Sequence, residues 1–344
     1  MSLINIVSLY SGAGGLDIGF EKNGFNTIFA TDIWDTACQT FSKNFPNTEV
    51  MCDSIVNIDF NKVKKKYRKI DGVIGGPPCP PFSKSRFYRK EKNRGIDDID
   101  GFITISNYFK AIEILSPKFF FFENVHGFVF KPHKSALDFL ETESKRLGYV
   151  ITYQVINFAD YGVPQTRERF ICVGIKEGNK KFVFPPKTHS GERDFQNGLK
   201  PWVTVGDILS DIDYDLPEDN KMQAGSKHKD LLKLVPPGDN YLYFTEERGY
   251  NKPLFKWRSR YWSFLLKLSP NRPSWTIQAS HSNNMGPFHW KNRFLRIQEI
   301  KRIQTFDDNY EITGSFKDQW RQVGNAVSPL ISEIFAQSIH REYF

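Results

Sequence analysis

With 344 residues, 40% of them hydrophobic, 25% charged and 15% aromatic, the chain has the make-up of a folded soluble protein, long enough for one large domain or two moderate ones. Its formal net charge of +8 suits a polyanionic partner without proving one. The four cysteines form no Cys-x-x-Cys pair, residues 1–5 carry no basic-then-apolar leader, and no apolar run nears the ~20 residues of a membrane helix. These features argue against a zinc site, a disulfide framework, secretion and a membrane span, and lead to the expectation of a reducing, cytoplasmic setting.

Residues 4–10 are an apolar, β-branched run that reads as a buried strand. Ser11-Gly12-Ala13-Gly14-Gly15 follows, and Leu16-Asp17-Ile18-Gly19-Phe20 opens a helix. Strand, glycine turn and helix together let backbone N–H groups approach a cofactor. The glycines lack the spaced Gly-x-Gly-x-x-Gly fingerprint, which disfavours a dinucleotide, and a tight turn needs glycine in any case. Residues 27–30 are a second strand, followed by Asp32 and a helix to about Phe45. Residues 49–52 are a third, with Asp53 at its end. Acidic residues at successive strand ends favour an adenosine-like cofactor, because such positions take ribose hydroxyls. Capping of the next helix is the alternative for Asp32.

Residues 62–69 form a basic, solvated helix face, and 71–74 a fourth strand. That strand runs into Gly75-Gly76-Pro77-Pro78-Cys79-Pro80-Pro81-Phe82-Ser83. The prolines fix φ and remove donors, so neither a helix nor an interior strand accommodates this stretch. It is a stiff loop that either carries a nucleophilic thiol or is a surface turn with a passenger cysteine. Residues 84–94 are basic and interleaved with Phe87 and Tyr88, a run suited to a lid over phosphates as well as to plain solvent exposure.

Residues 103–115 have helical periodicity, and 118–122 are a strand ending in Glu123-Asn124-Val125. Burial of Glu123 there would raise its pKa and fit it to act as an acid; a helix cap is the plainer role. A helix at 136–147 and a strand at 150–155 follow, then a connection at 157–164. Gln165-Thr166-Arg167-Glu168-Arg169 leads into a strand at 170–175. Arg167 and Arg169 fall on one side of an extended chain, where they suit phosphate, carboxylate or a surface ion pair.

Residues 1–183 thus predict a mostly parallel sheet with helices on both faces. From Phe184-Pro185-Pro186 the pattern breaks into Pro, Gly and charged clusters. Residues 252–262 set Lys256, Arg258 and Arg260 among Phe255, Trp257, Tyr261 and Trp262. Such interleaving suits nucleic acid and equally a small irregular β domain with an aromatic core. Arg272-Pro273-Ser274-Trp275 reads as a stiff turn into a strand, 298–306 as a helix, 324–329 as a tight turn, and 330–340 as a last amphipathic helix.

In this order the segments resemble the DNA cytosine-5 methyltransferases along essentially the full chain. Residues 9–20 are similar to that family's S-adenosylmethionine loop, and residues 75–83 to its nucleophile motif. Glu123-Asn124-Val125, Gln165-x-Arg167-x-Arg169, Arg272-Pro273-Ser274 and Gly324-Asn325-Ala326-Val327 follow in family order. Departures are Tyr10 for Phe, Asp32 for Glu, and Pro80 where Gln is usual.

The resemblance implies an α/β fold. A Rossmann-like S-adenosylmethionine-dependent methyltransferase sheet would occupy 1–183, a smaller, irregular, β-rich target-recognition domain with a hinge 184–319, and a helix returning to the first domain 320–344. It implies methyl transfer from S-adenosylmethionine, which leaves S-adenosyl-L-homocysteine, to carbon 5 of a flipped-out cytosine in double-stranded DNA. The enzyme would be a monomer and the modification half of a restriction–modification system, with an independently acting endonuclease. Cys79 matches the nucleophile, Glu123 the acid at the cytosine, and Arg167 and Arg169 the groups holding base and cysteine loop. Tyr10, Gly12, Ala13, Gly14, Gly15, Leu16, Asp32, Ile33, Asp53, Ser54, Pro77, Asn325 and Val327 match the cofactor site. Ser83, Lys84, Ser85, Arg86, Gln165, Lys256, Arg258 and Arg260 are expected on DNA, and no metal is implied. A tRNA cytosine-5 methyltransferase and a catalytically silent DNA-binding homologue are the alternatives. The spelling around Cys79 favours DNA over tRNA, and intact Cys79, Glu123 and Arg167 favour catalysis.

Overall fold

A computed structural model describes residues 3–78, 99–178, 180–191 and 198–344. Its frame is a seven-stranded sheet built from β1 (Ile4–Leu9), β2 (Phe25–Asp32), β3 (Glu49–Cys52), β4 (Gly72–Gly75), β5 (Phe119–Val125), β6 (Tyr149–Asn157) and β8 (Glu168–Lys176). The two-residue β7 (Gln165–Thr166) lies outside this sheet. The spatial order is β3-β2-β1-β4-β5-β8-β6. Pairing is parallel from β3 through β5, and β8 runs antiparallel to both β5 and β6. The short connection between β6 and β8 explains the reversal: a parallel return needs a crossover of a dozen residues or more.

Strand β5 shows why the sheet is covered on both sides. Its four phenylalanines, at 119–122, are all buried. Phe120 and Phe122 pack with Tyr108, Phe109 and Leu140, whereas Phe119 and Phe121 pack with Phe20, Phe25 and Phe335. Alternate side chains of a strand face opposite ways, so each pair feeds a different core. The first core is closed by α3 (Phe60–Tyr67), α4 (Ile99–Leu115) and α5 (Lys134–Arg146), the second by α1 (Gly15–Lys22) and α10 (Pro329–Tyr343). Helix α2 (Asp35–Asn44) contributes Phe41 to a third core, shared with the C-terminal half of the chain.

Helix α10 lies directly on α1. A Cβ at Gly19 would come within 2.2 Å of the Glu333 amide, so only glycine permits this approach. Asn23 Nδ2 also donates to Glu333 O at 3.2 Å.

Helix α1 carries a buried acid as well. Asp17 is fully buried and accepts bonds from Ser8 Oγ at 3.0 Å and Thr27 Oγ1 at 3.2 Å. Burial, chiefly, pushes its pKa up to about 7 from the ordinary 3.8. The native state therefore holds this proton more tightly than the unfolded chain, and the acid opposes folding increasingly as pH rises through that window. Asp17→Asn is expected to gain stability over the wild type by about 1.4 kcal/mol per pH unit across it. Urea unfolding at pH 5 and pH 7 checks this, and a stability difference that does not change with pH contradicts it.

The smaller region holds α6 (Val205–Leu209), α7 (Lys229–Leu234), α8 (Ile297–Ile303), and three two-residue strands, β9 (His189–Ser190), β10 (Lys200–Pro201) and β11 (Ser274–Trp275). The expected β-rich character is thus reduced, among the described residues, to short pairings and isolated bridges. Aromatic packing replaces the ladder: Tyr241, Phe244, Phe264 and Phe288 are buried together. The expected turn at 324–329 is also corrected. Gly324 and Asn325 end α9 (Phe316–Asn325), which a reciprocal Ser315–Asp318 capping box starts.

Candidate active site

Where β1 leaves toward β2 on one side and β4 on the other, the strand order reverses, and such switch points open a crevice at the strand ends. The glycine turn fills this position. Tyr10, Gly12 and Gly14 have φ of +54°, +53° and +78°. These left-handed conformations fold the chain sharply from β1 into α1.

The turn is tied to the next strand end. Gly12 N–H donates to Asp32 Oδ2 and Trp34 N–H to Asp32 Oδ1, each at 2.9 Å. Burial pushes the Asp32 pKa up, while these amides, Ile33 N–H and the Arg321 charge hold it down. The Arg321 guanidinium lies 4.3 Å over the Trp34 ring. The three amides of Gly12, Ile33 and Trp34 leave about one of the carboxylate's roughly four acceptor sites for a hydroxyl. Asp53 N–H donates to Asp32 O at 3.0 Å, and Asp53 Oδ1 accepts from Ser54 N–H and Asn57 Nδ2. A Cβ at Gly12 would meet nothing within 4 Å, so the turn borders open space of the kind an adenosine moiety needs. The residues present therefore fit S-adenosylmethionine.

Around this edge Tyr10 donates its hydroxyl to Thr104 O at 2.7 Å, and Tyr310 donates to Ala13 O at 2.5 Å. A Cβ at Gly15 would sit 2.2 Å from Val327 O, which places the end of the chain against the glycine turn. Ile33 and Asn325 are exposed nearby in sequence to these groups. Leu16 instead turns into the core beneath α10 and does not face the open edge.

The second half of the site lies at the ends of β4 and β5. A Cβ at Gly76 would come 3.0 Å from Glu123 Oε2, and Asn124 Nδ2 donates to Pro77 O at 3.3 Å. The backbone that leads to Cys79 is therefore laid against Glu123 and Asn124. Cys79 itself, with Ser83, Lys84, Ser85 and Arg86, lies outside the described residues. Glu123 is buried, and Arg169 Nε meets its Oε1 at 3.1 Å. Burial raises the Glu123 pKa, against the lowering charges of Arg169 and Arg167.

Arg167 and Arg169 part company. The extended run breaks between β7 and β8 at residue 167, so the two side chains do not share a side. Arg169 reaches Glu123. The Arg167 guanidinium is buried on backbone carbonyls: Ile277 O at 3.1 Å, Gly324 O at 3.0 Å and Ala326 O at 3.3 Å. The cysteine loop that it is expected to hold lies, from Cys79 on, outside the described residues. Gln165, expected on DNA, is buried too: its Nε2 donates to Gln304 Oε1 at 2.6 Å and its Oε1 accepts Ile277 N–H at 3.0 Å. Gln304 Nε2 in turn donates to Val323 O and Ala326 O. Together Arg167, Gln165 and Gln304 lock the end of α9 to β7. Sequence offered no signal for Gln304 or Tyr310, since a lone polar residue shows no distant partner. Asn124 was marked only by its neighbour Glu123.

Arg167→Ala strands three buried carbonyls and is expected to cost about 3 kcal/mol or more of stability, with Arg167→Lys recovering only part. Urea unfolding measures this; an Ala variant as stable as the wild type would remove the locking role.

Lys256, Arg258 and Arg260 are exposed on one loop of the smaller region. Among the described residues no helix is long and apolar enough to cross a membrane.

A family model for C-5 cytosine-specific DNA methylase matches residues 4–341. The chain is 37% identical over 364 aligned positions to the Type II methyltransferase M.SacI of Streptomyces achromogenes, covering 97% of this chain and 92% of that protein. It is 32% identical to the Type II methyltransferase M.NgoFVII of Neisseria gonorrhoeae, covering 94% and 83%. Among solved structures, one described as an E. coli prophage-encoded DNA modification methyltransferase superposes with a TM-score of 0.71 at 21% identity, covering 98% of this chain and 99% of that one, a likeness that bears on the fold.

Proposed function

The chain belongs to the C-5 cytosine-specific DNA methylases of the Type II restriction–modification kind, and within that family we propose that it methylates a flipped-out cytosine of duplex DNA through a covalent Cys79 adduct. The observation that carries this reading is Glu123, buried and held by Arg169 beside the strand end that leads into Cys79.

Carbon 5 of cytosine is too weak a nucleophile on its own. A Cys79 thiolate adding to carbon 6 makes the ring an enamine and divides one difficult step into easier ones. Glu123 holds a proton at ring nitrogen 3 and offsets the charge that builds on the ring. Arg169 positions that carboxyl. After carbon 5 has gained its methyl, a base takes the carbon 5 proton and the Cys79 sulfur leaves. S-adenosylmethionine, held by Tyr10, the 12–15 turn, Asp32 and Asp53, supplies the electrophilic methyl when bound. Carbon 6 is inaccessible in a stacked duplex, so the base must leave the helix. The smaller region, with Lys256, Arg258 and Arg260, binds the duplex, and a separate endonuclease cuts the same sequence when it is unmethylated.

Labelled S-adenosylmethionine offered to duplex DNA and to tRNA in parallel tests the reading. Label is expected at one short sequence of the DNA and absent from tRNA. Labelling of tRNA alone overturns it.

A further inference from the structure

Two tryptophans are left in the open at the junction of the two halves of the molecule. Trp262 is 52% exposed and Trp275 41% exposed, and their rings meet edge to face with centroids 5.5 Å apart. Large aromatic surface in water is unfavourable, and a contiguous exposed patch marks an interaction site.

The backbone that carries each ring is anchored. Trp275 sits on β11, in register with Thr166 of β7, and Thr276 Oγ1 donates to Thr166 O at 2.8 Å. The Trp262 carbonyl accepts a 2.7 Å bond from Asn240, which is wholly buried. The loop that carries Trp262 is closed at its base by Phe255 and Phe264, whose rings are 5.7 Å apart. Its other exposed side chains include Lys256, Arg258 and Arg260. The partner of this patch is therefore both polyanionic and rich in π faces, which is the chemistry of nucleic acid bases on a phosphate backbone.

The position is as telling as the composition. Trp275 lines a cleft of about 950 Å³ between the two regions, together with Thr166, Glu168 and Arg272. Arg169, which contacts Glu123, follows Thr166 by three residues, a span of at most about 10 Å.

We propose that Trp262 and Trp275 form an aromatic wedge that stacks on the duplex bases bordering the extruded cytosine. The proposal rests on the DNA methyltransferase reading. Extruding a base leaves its neighbours without a stacking partner, and a fixed aromatic face restores one while the cations beside it neutralise phosphates.

The test is single-turnover methylation by the full chain on two oligonucleotide duplexes. Both carry the sequence mapped by the labelling experiment; in one the target cytosine pairs with guanine, in the other it faces an abasic site, so extrusion is already easy. Trp262→Ala and Trp275→Ala are expected to slow methylation of the paired duplex roughly tenfold or more. On the abasic duplex each should recover to within about threefold of the wild type. Trp262→Phe should retain most activity on both. Equal losses on the two duplexes overturn the wedge, as does undiminished activity on the paired one. Trp262 stands on an exposed loop, so its variants carry the test if Trp275→Ala fails to fold. A wild type that methylates neither duplex would fail the DNA reading itself, a different result.

Discussion

Cys79→Ser is expected to lower methyl transfer to duplex DNA by about 10⁴-fold or more while leaving S-adenosylmethionine affinity within about twofold. A free thiol has a pKa near 8.5, so a few per cent is thiolate at neutrality, whereas a serine hydroxyl ionises hardly at all. The described cysteines offer no replacement at the strand end: burial pushes the Cys38 and Cys172 thiols up, away from thiolate, and Cys52 belongs to β3 beside Asp32. Cofactor affinity should survive because Tyr10, Asp32 and Asp53 hang from β1, β2 and β3, and their anchoring bonds do not involve the β4 strand end. Single-turnover rates and calorimetric titration measure the two halves separately. A second readout is the covalent complex, which wild type should form with trapped DNA under denaturing conditions and the serine variant should not. Turnover above about one part in a hundred would remove Cys79 as the nucleophile.

The sheet was legible because strand and helix differ in period, and among the described residues the two alternate from β1 to β6. The direction of β8 was not, since an antiparallel buried strand reads like a parallel one; only the short link from β6 reveals it. Helix α9 was hidden by Gly324, whose glycine suggested a turn. In fact a Cβ there would meet Gln278 O at 2.5 Å, so the glycine serves a close approach inside a helix. The Ser315–Asp318 pair was the signal that could have found it. At the site, the glycine turn, Asp32 and Glu123 stood out as odd residues at strand ends. Arg167 and Arg169 looked equivalent because spacing alone cannot show that the chain breaks between two strands. Gln165 and Gln304 satisfy each other and buried carbonyls across 139 residues, a pairing that no local pattern encodes. The resemblance implied a β-rich smaller region, yet its aromatics pack as a cluster, with few ladder bonds among the described residues.

Glu123→Gln is expected to slow methyl transfer by about 10²–10⁴-fold. The carboxyl sits at the end of a fully apolar strand, and burial raises its pKa while Arg169, at 3.1 Å, and Arg167 oppose the rise. That balance keeps a proton available to a higher pH than an ordinary carboxyl would, without fixing it there. Glutamine can still donate a hydrogen bond to ring nitrogen 3, so base binding should persist. It has no proton to move and cannot carry the charge that pairs with Arg169. The pH dependence separates these effects. Raising pH increases the Cys79 thiolate but strips the proton from Glu123 as pH passes its folded value, so the wild-type single-turnover rate should rise and then fall. In the Gln variant the falling limb should vanish and the rising limb remain. Glu123→Asp, which keeps the charge but withdraws it by one methylene from Arg169, should keep both limbs at a reduced rate. If wild type and Glu123→Gln share the same falling limb, the proton lost at high pH belongs to another group, and Glu123 acts by position alone.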